Sequence, residues 1–140
     1  MDVREVMTPN PRTCQANSTI RDAAILMRDE DAGAIPVVEG GRVIGMVTDR
    51  DIVVRCIAGG GNVDGLLREI CSGDVICAKP DMSTAEAAEL MAEHQIRRLP
   101  VVEDDKLVGI VSLGDLAVKT GKDRKMGDTL ENISEGVKRH

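Results

Sequence analysis

Hydrophobic positions recur at helical spacing in two stretches of the chain. Ile20, Ala23, Ala24 and Met27 share one face of a 3.6-residue period, and Thr84, Ala87, Ala88 and Met91 share another. Each stretch opens with a hydroxyl residue and an acid three positions on, Thr19 with Asp22 and Ser83 with Glu86, the capping-box pattern of a helix start. Behind each helix the pattern shortens to apolar runs. Residues 35–38 and 43–47 flank Gly40-Gly41, and residues 99–102 and 107–111 flank Asp104-Asp105, so each set predicts two strands joined by a two-residue turn. Pro36 and Pro100 cannot donate a ladder hydrogen bond, which places them at or near a sheet edge. A short turn leads each set (residues 3–7 and 67–71), an extended piece follows it (12–15 and 75–78), and a closing helix ends it (49–57 and 113–119).

The two sets are one pattern written twice. Arg4-Glu5 returns as Arg68-Glu69, Leu26-Met27 as Leu90-Met91, and Pro36-Val37-Val38-Glu39 as Pro100-Val101-Val102-Glu103, always 64 positions later and without a gap between residues 2 and 56. A unit of about 55 residues is marginal alone. Two of them predict an α/β (α+β) fold in which helix-strand-strand-helix repeats pack about a pseudo-twofold axis. The expected division is repeat 1 at 1–58, a glycine-rich flexible joint at 59–65, repeat 2 at 66–120, and a tail at 121–140. In the tail, Asp128 with Glu131 resembles a cap, and Leu130, Ile133 and Val137 share a face, so a short docking helix and a disordered tail both fit.

The candidate chemistry lies where each second strand meets its closing helix. Gly45-Met46-Val47-Thr48-Asp49-Arg50-Asp51 returns as Gly109-Ile110-Val111-Ser112-Leu113-Gly114-Asp115. A helix start presents free N–H groups and the positive end of the dipole. A hydroxyl and a carboxylate there suit a sugar, with a phosphate nearby on the N–H groups. The same residues also spell a capping box, and the two uses are compatible. The copies differ beside the motif, where Gly33-Ala34 in the first corresponds to Arg97-Arg98 in the second. Arginine suits phosphate; the competing use of this pair is solvation, or pairing with Glu93, Glu103 or Asp104. His94, near a helix end, suits a cap or dipole partner.

Charge and composition narrow the ligand. The net charge of −6 argues against nucleic acid as partner, and the absence of Phe, Tyr and Trp removes aromatic stacking, so a bound purine would lie between aliphatic side chains. No apolar run approaches the ~20 residues of a membrane span, and the expected compartment is the cytoplasm. Cys14, Cys56, Cys71 and Cys77 lack zinc spacing and read as reduced, mostly core thiols. There is no P-loop, no nucleophile–base pair and no metal cluster to suggest an enzyme. The acidic runs Asp29-Glu30-Asp31 and Asp49-Arg50-Asp51 suit solvated faces.

The order helix, strand, strand, helix with Ile35-Pro36-Val37-Val38-Glu39 and the glycine-to-aspartate motif resembles the CBS domain. Two in tandem resemble a CBS pair, or Bateman module, of the stand-alone bacterial kind. The resemblance spans about residues 2–120. It implies a regulatory, non-catalytic module with two related pockets in the cleft between repeats. These would take AMP, ADP, ATP or S-adenosylmethionine as regulatory ligand, with no cofactor required. It implies Asp51 and Asp115 as ribose ligands with Thr48 and Ser112 beside them, and Met46 and Ile110 lining the base. Gly33, Ala34 and Arg98 would lie near Asp115, and Ile96 and Arg97 near Asp51. It also implies a homodimer through the closing helices, whose Ile52, Val53, Ile57, Leu116 and Val118 read as exposed apolar residues. A downstream protein partner is open. The alternatives are a scaffold that binds no nucleotide, or a nucleotide-handling enzyme.

Overall fold

The computed structural model describes residues 1–71 and 75–120. These fall into two compact units whose bounds differ from those of the repeats: one is Arg12–Val75, and the other joins Met1–Pro11 to the chain from Ile76 onward.

In the unit Arg12–Val75, β2 (Cys14–Gln15) runs parallel to β3 (Ala34–Glu39), which pairs antiparallel with β4 (Arg42–Thr48). The β3–β4 turn is Gly40-Gly41 with φ of 60° and 81°, the double left-handed geometry that glycine permits without strain. Helix α2 (Ile20–Glu30) is capped by Thr19 and Asp22 in both directions and buries Ile20, Ala23 and Met27 against Ile35, Val37 and Val47. Ala24, expected on that face, is exposed. The chain then turns into α3 (Asp49–Asp51), which widens at once into a π-helical segment, Ile52–Ile57. There the Ala58 N–H reaches back five residues to the Val53 carbonyl, 2.9 Å away. A side chain at Gly59 would stand 2.8 Å from the Arg55 carbonyl oxygen, so glycine is needed where the wide turn ends.

The stretch at 59–65, expected as a flexible joint, is tied into this unit. Its Gly65 and Val63 carbonyls accept the Ile20 and Arg21 N–H groups at 3.0 and 2.8 Å, satisfying the first donors of α2, and Asp64 pairs with Arg21 at 3.0 Å. The 3₁₀ turn Leu67–Glu69 follows, and its Leu67 and Arg68 N–H groups donate to the Ser18 and Ala16 carbonyls. Leu67 and Ile70 are buried in the core of repeat 1.

The second unit repeats the helix and hairpin, but the parallel third strand is reduced to a bridge between Ala78 and Val101, and a strand from the N-terminal residues is added on the other side of the hairpin. Helix α1 (Val3–Val6) donates its Val3 and Arg4 N–H groups to the Met82 and Pro80 carbonyls. Strand β1 (Thr8–Pro9) pairs antiparallel with β6 (Lys106–Ser112), which pairs with β5 (Arg98–Glu103). Val3 and Val6 sit in the core with Ala87, Ala88 and Met91 of α4 (Thr84–His94), Leu99, Val101, Val111, and Leu116 of α5 (Leu113–Thr120). Each leading turn thus completes the core around the other repeat's strands. The ion pairs repeat as well, Arg4 with Glu103 at 2.9 Å and Arg68 with Glu39 at 2.8 Å.

Three further expectations need correction. Strand β3, which carries Pro36, is the middle strand of its sheet; the missing donor costs nothing because β2 begins its pairing one residue later, at Val37. Ile52 and Leu116 are buried in their own units and present no apolar surface. Only Cys14 and Cys56 are buried; Cys71 and Cys77 are half-buried, and all four thiols are free. The expected tail helix at 121–140 lies outside the described residues.

Gly109 generates a test of the β1–β6 pairing. A Cβ there would meet Met7 Sδ at 2.5 Å and the Thr8 carbonyl oxygen at 3.0 Å. Gly109→Ala is expected to cost about 1–3 kcal/mol, the usual range for overpacking, read as a lower midpoint in urea unfolding. A midpoint equal to the wild type would mean that β1 does not hold this register.

Candidate functional site

Both copies of the strand-to-helix motif fold alike. Strand β4 ends at Thr48, whose Oγ1 accepts the Asp51 N–H at 3.0 Å, while Asp51 Oδ2 accepts the Thr48 N–H at 2.9 Å. Strand β6 ends at Ser112, whose Oγ and Asp115 make the same exchange at 3.0 and 3.0 Å. The cap expected as one use of these residues is therefore present at both sites. It engages one oxygen of each carboxylate, and a carboxylate has roughly four acceptor positions, so capacity for further donors remains.

The first helical N–H of each copy is also bound. Asp49 N–H donates to the Gly33 carbonyl at 3.0 Å, and Leu113 N–H donates to the Arg97 carbonyl at 2.8 Å. At the next position the copies diverge. The Arg50 N–H is taken by Asp49 Oδ1 at 2.8 Å, whereas the corresponding Gly114 N–H has no partner among the described residues. The N–H groups at Thr48–Asp51 thus each have a partner within the unit.

Within each unit the strand ladders fix which of the residues expected to line the site face the motif and each other. Ala34 faces Thr48 across the β3–β4 ladder, and Met46 faces Pro36. Arg98 faces Ser112 across β5–β6, and Ile110 faces Pro100. Facing residues project on one side of a sheet, so the Arg98 and Ser112 side chains leave the ladder on the same face. Ile96 is half-buried against the core of that unit, just past the α4 C-terminus, where His94 is the last helical residue. Arg97 and Arg98 are exposed, and among the described residues neither forms an ion pair; Glu103, one of their expected partners, is held by Arg4.

Arg55 was not foreseen as part of this region. Its Nε lies 3.7 Å from Asp51 Oδ1, and its Nη1 donates to the Ile70 carbonyl at 3.3 Å. The i, i+4 spacing of Asp51 and Arg55 was the readable signal. The neighbouring Cys71 thiol is pushed up from its ordinary pKa, mainly by burial and further by the Asp51 charge, with Arg68 and Arg55 pulling the other way. Burial also raises Cys77. Among the described residues no group of three or more His, Cys, Asp or Glu is placed to hold a metal ion, and no helix is long and apolar enough to cross a membrane.

Comparison with known proteins agrees with this architecture. The CBS domain model matches twice, over residues 3–57 and 67–119. CBS domain-containing protein YhcV of Bacillus subtilis is 47% identical over 132 residues, covering 94% of both chains. The solved structure of Hypoxic Response Protein I with two coordinated zinc ions is 33% identical, with a TM-score of 0.80 over 85% of this chain and 98% of that one. The CBS domain pair of protein MJ0100, solved in complex with 5′-methylthioadenosine and S-adenosyl-L-methionine, is 28% identical with a TM-score of 0.78, over 86% and 96% of the two chains. With two family matches over most of its length, the chain belongs to the CBS-domain family as a tandem pair.

Proposed function

We propose that this protein is a non-catalytic sensor that binds adenosine-containing ligands at its two glycine-to-aspartate motifs. The observation that carries this is the repeated exchange between hydroxyl and carboxylate at a helix start, with spare acceptor capacity on Asp51 and Asp115. Ribose offers two hydroxyl donors, and an acceptor-only carboxylate suits both. Thr48 and Ser112 stand beside them. Met46 and Ile110 line the base, and Gly33, Ala34, Ile96 and Arg97 complete the walls. The ligands of the MJ0100 pair support adenosine as the shared chemistry. Such ligands imply a cytoplasmic location.

AMP, ADP, ATP or S-adenosylmethionine at millimolar concentration is expected to raise the melting temperature, because each binds the native state. No phosphate, pyrophosphate or methyl transfer should follow. Absence of stabilisation by all four would sink the binding proposal, and turnover at enzymatic rates would sink the non-catalytic half. A ligand that co-purifies would show as absorbance near 260 nm, which this chain, without Trp or Tyr, does not itself supply.

The two motifs should differ in preference. Arg98 beside Ser112, with the Gly114 N–H available, favours ligands that carry phosphate at the Asp115 motif. Loss of a hydrogen bond to a charged group costs roughly 1.5–3 kcal/mol, more than tenfold in affinity. Arg98→Ala should therefore weaken AMP and ATP at one site and leave adenosine nearly unchanged, while Asp115→Ala should weaken all three there. Asp51→Ala should affect the other site alone. Calorimetric titration reads this out; equal losses for adenosine and AMP in Arg98→Ala would make the arginine structural.

The same proposal includes self-association. Val53, Val54 and Ile57 are 55%, 48% and 60% exposed along one π-helical segment, and Val118 of the other closing helix is 83% exposed. Aliphatic side chains left outward in matching elements suit a second copy of the chain. Light scattering at micromolar concentration should give about twice the 15.0 kDa chain mass, and Val53→Asp with Ile57→Asp should return it to one; a monomeric wild type rules the dimer out.

A further inference from the structure

Arg55 is held at two ends. One nitrogen faces the Asp51 carboxylate at 3.7 Å and another donates to the Ile70 carbonyl at 3.3 Å. The guanidinium is a rigid planar fork, so a change at one prong is felt at the other. The backbone beneath it is also fixed. The π-helical segment carries Arg55, and its carbonyl oxygen is approached so closely at Gly59 that no side chain fits there. On the far side, Ile70 is buried at 6% exposure and its N–H, like that of Cys71, donates to the Leu67 carbonyl. The equivalent position in repeat 2 is Lys119, a point charge without the fork.

We infer that Arg55 is a positioning residue that couples the Asp51 carboxylate to the backbone at Ile70–Cys71, the point where the chain leaves the 3₁₀ turn of its unit. A ligand hydroxyl that donates to Asp51 Oδ1 draws on the same negative charge that holds Arg55 and so weakens that pairing. Occupancy then alters the hold of the same guanidinium on the Ile70 carbonyl. The ligand part of this inference rests on the nucleotide-binding proposal; the coupling itself exists without ligand.

Amide hydrogen exchange at Ile70 and Cys71 tests it, with Val37 and Val47 in the strands as references. Arg55→Met keeps the aliphatic stem and removes both prongs. Asp51→Asn keeps an oxygen for the Thr48 cap and removes the charge. Each single variant is expected to speed exchange at Ile70 and Cys71 by about two- to fivefold, in keeping with the modest strength of a partly exposed ion pair, and to leave the references unchanged. The double variant should exchange no faster than the faster single one, because both substitutions break one linkage. Additive acceleration, no acceleration, or equal acceleration at the references would overturn the coupling. Saturating AMP should shift exchange at the two amides in the wild type and not in Arg55→Met; a shift of the same size in both would also overturn it. If AMP, ADP, ATP and S-adenosylmethionine all fail to bind the wild type, the nucleotide-binding proposal falls, and the ligand-free double-variant comparison still decides this one.

Discussion

A helix that starts directly at the end of a buried strand must find partners for its first N–H groups. This requirement shapes both motifs. The carbonyl of Gly33 or Arg97, in the bend just before the neighbouring strand, takes the first donor, and the hydroxyl of Thr48 or Ser112 takes the third. The carboxylate of Asp51 or Asp115 answers by accepting the N–H of the residue that caps it. The acid best placed to receive a ligand hydroxyl is therefore already part of the fold. The same carboxylate joins the start of the helix to the end of the strand before it, so a change at either oxygen bears on both.

Much of this was legible because it is local. The capping boxes at Thr19, Thr48 and Ser112 follow from residue spacing alone, and the 64-residue offset made each assignment in one repeat a check on the other. Period-two and period-3.6 patterns gave the strands and the α2 and α4 faces, with Ala24 the exception because α2 buries a narrower stripe than its sequence offers. What escaped was nonlocal. Periodicity shows that residues 3–7 and 67–71 are equivalent, and is silent on which core each one enters; Val3 and Leu67 suit either. The π-helical register of Ile52–Ile57 was hidden as well, since nothing in the run Ile-Val-Val-Arg-Cys-Ile distinguishes a wide turn from an ordinary one. That register, and the burial of Ile52 and Leu116, decide which aliphatic side chains face outward.

The repeats share a backbone plan and differ in charge around it. At one motif, a second aspartate closes the remaining N–H and Arg55 shadows the carboxylate. At the other, Leu113 stands in place of that aspartate and offers no acceptor to the Gly114 N–H, and Arg98 stands across the ladder from Ser112. These differences lie at positions that carry little of the core, Asp49 against Leu113 being the exception, since Leu113 is buried. Divergence has thus been free to change what surrounds each carboxylate while the capping exchange that holds the helix start stayed fixed.

The exchanged leading turns give the pair a further property. A core built on one repeat's strands alone would lack Val3 and Val6 in one case, Leu67 and Ile70 in the other, all of them buried. Burying one such side chain is worth about 1.5–3 kcal/mol, a large fraction of the few kcal/mol that a unit of this size retains. The backbone bonds from Val3 and Arg4 to Met82 and Pro80, and from Leu67 and Arg68 to Ser18 and Ala16, add direction to that burial. Neither repeat, cut at its sequence boundary, holds all the residues its own sheet requires. The fold therefore needs the two repeats in one chain for a reason deeper than their resemblance: each supplies part of the other's interior, so loss of order in one leading turn is felt first in the core of the opposite repeat.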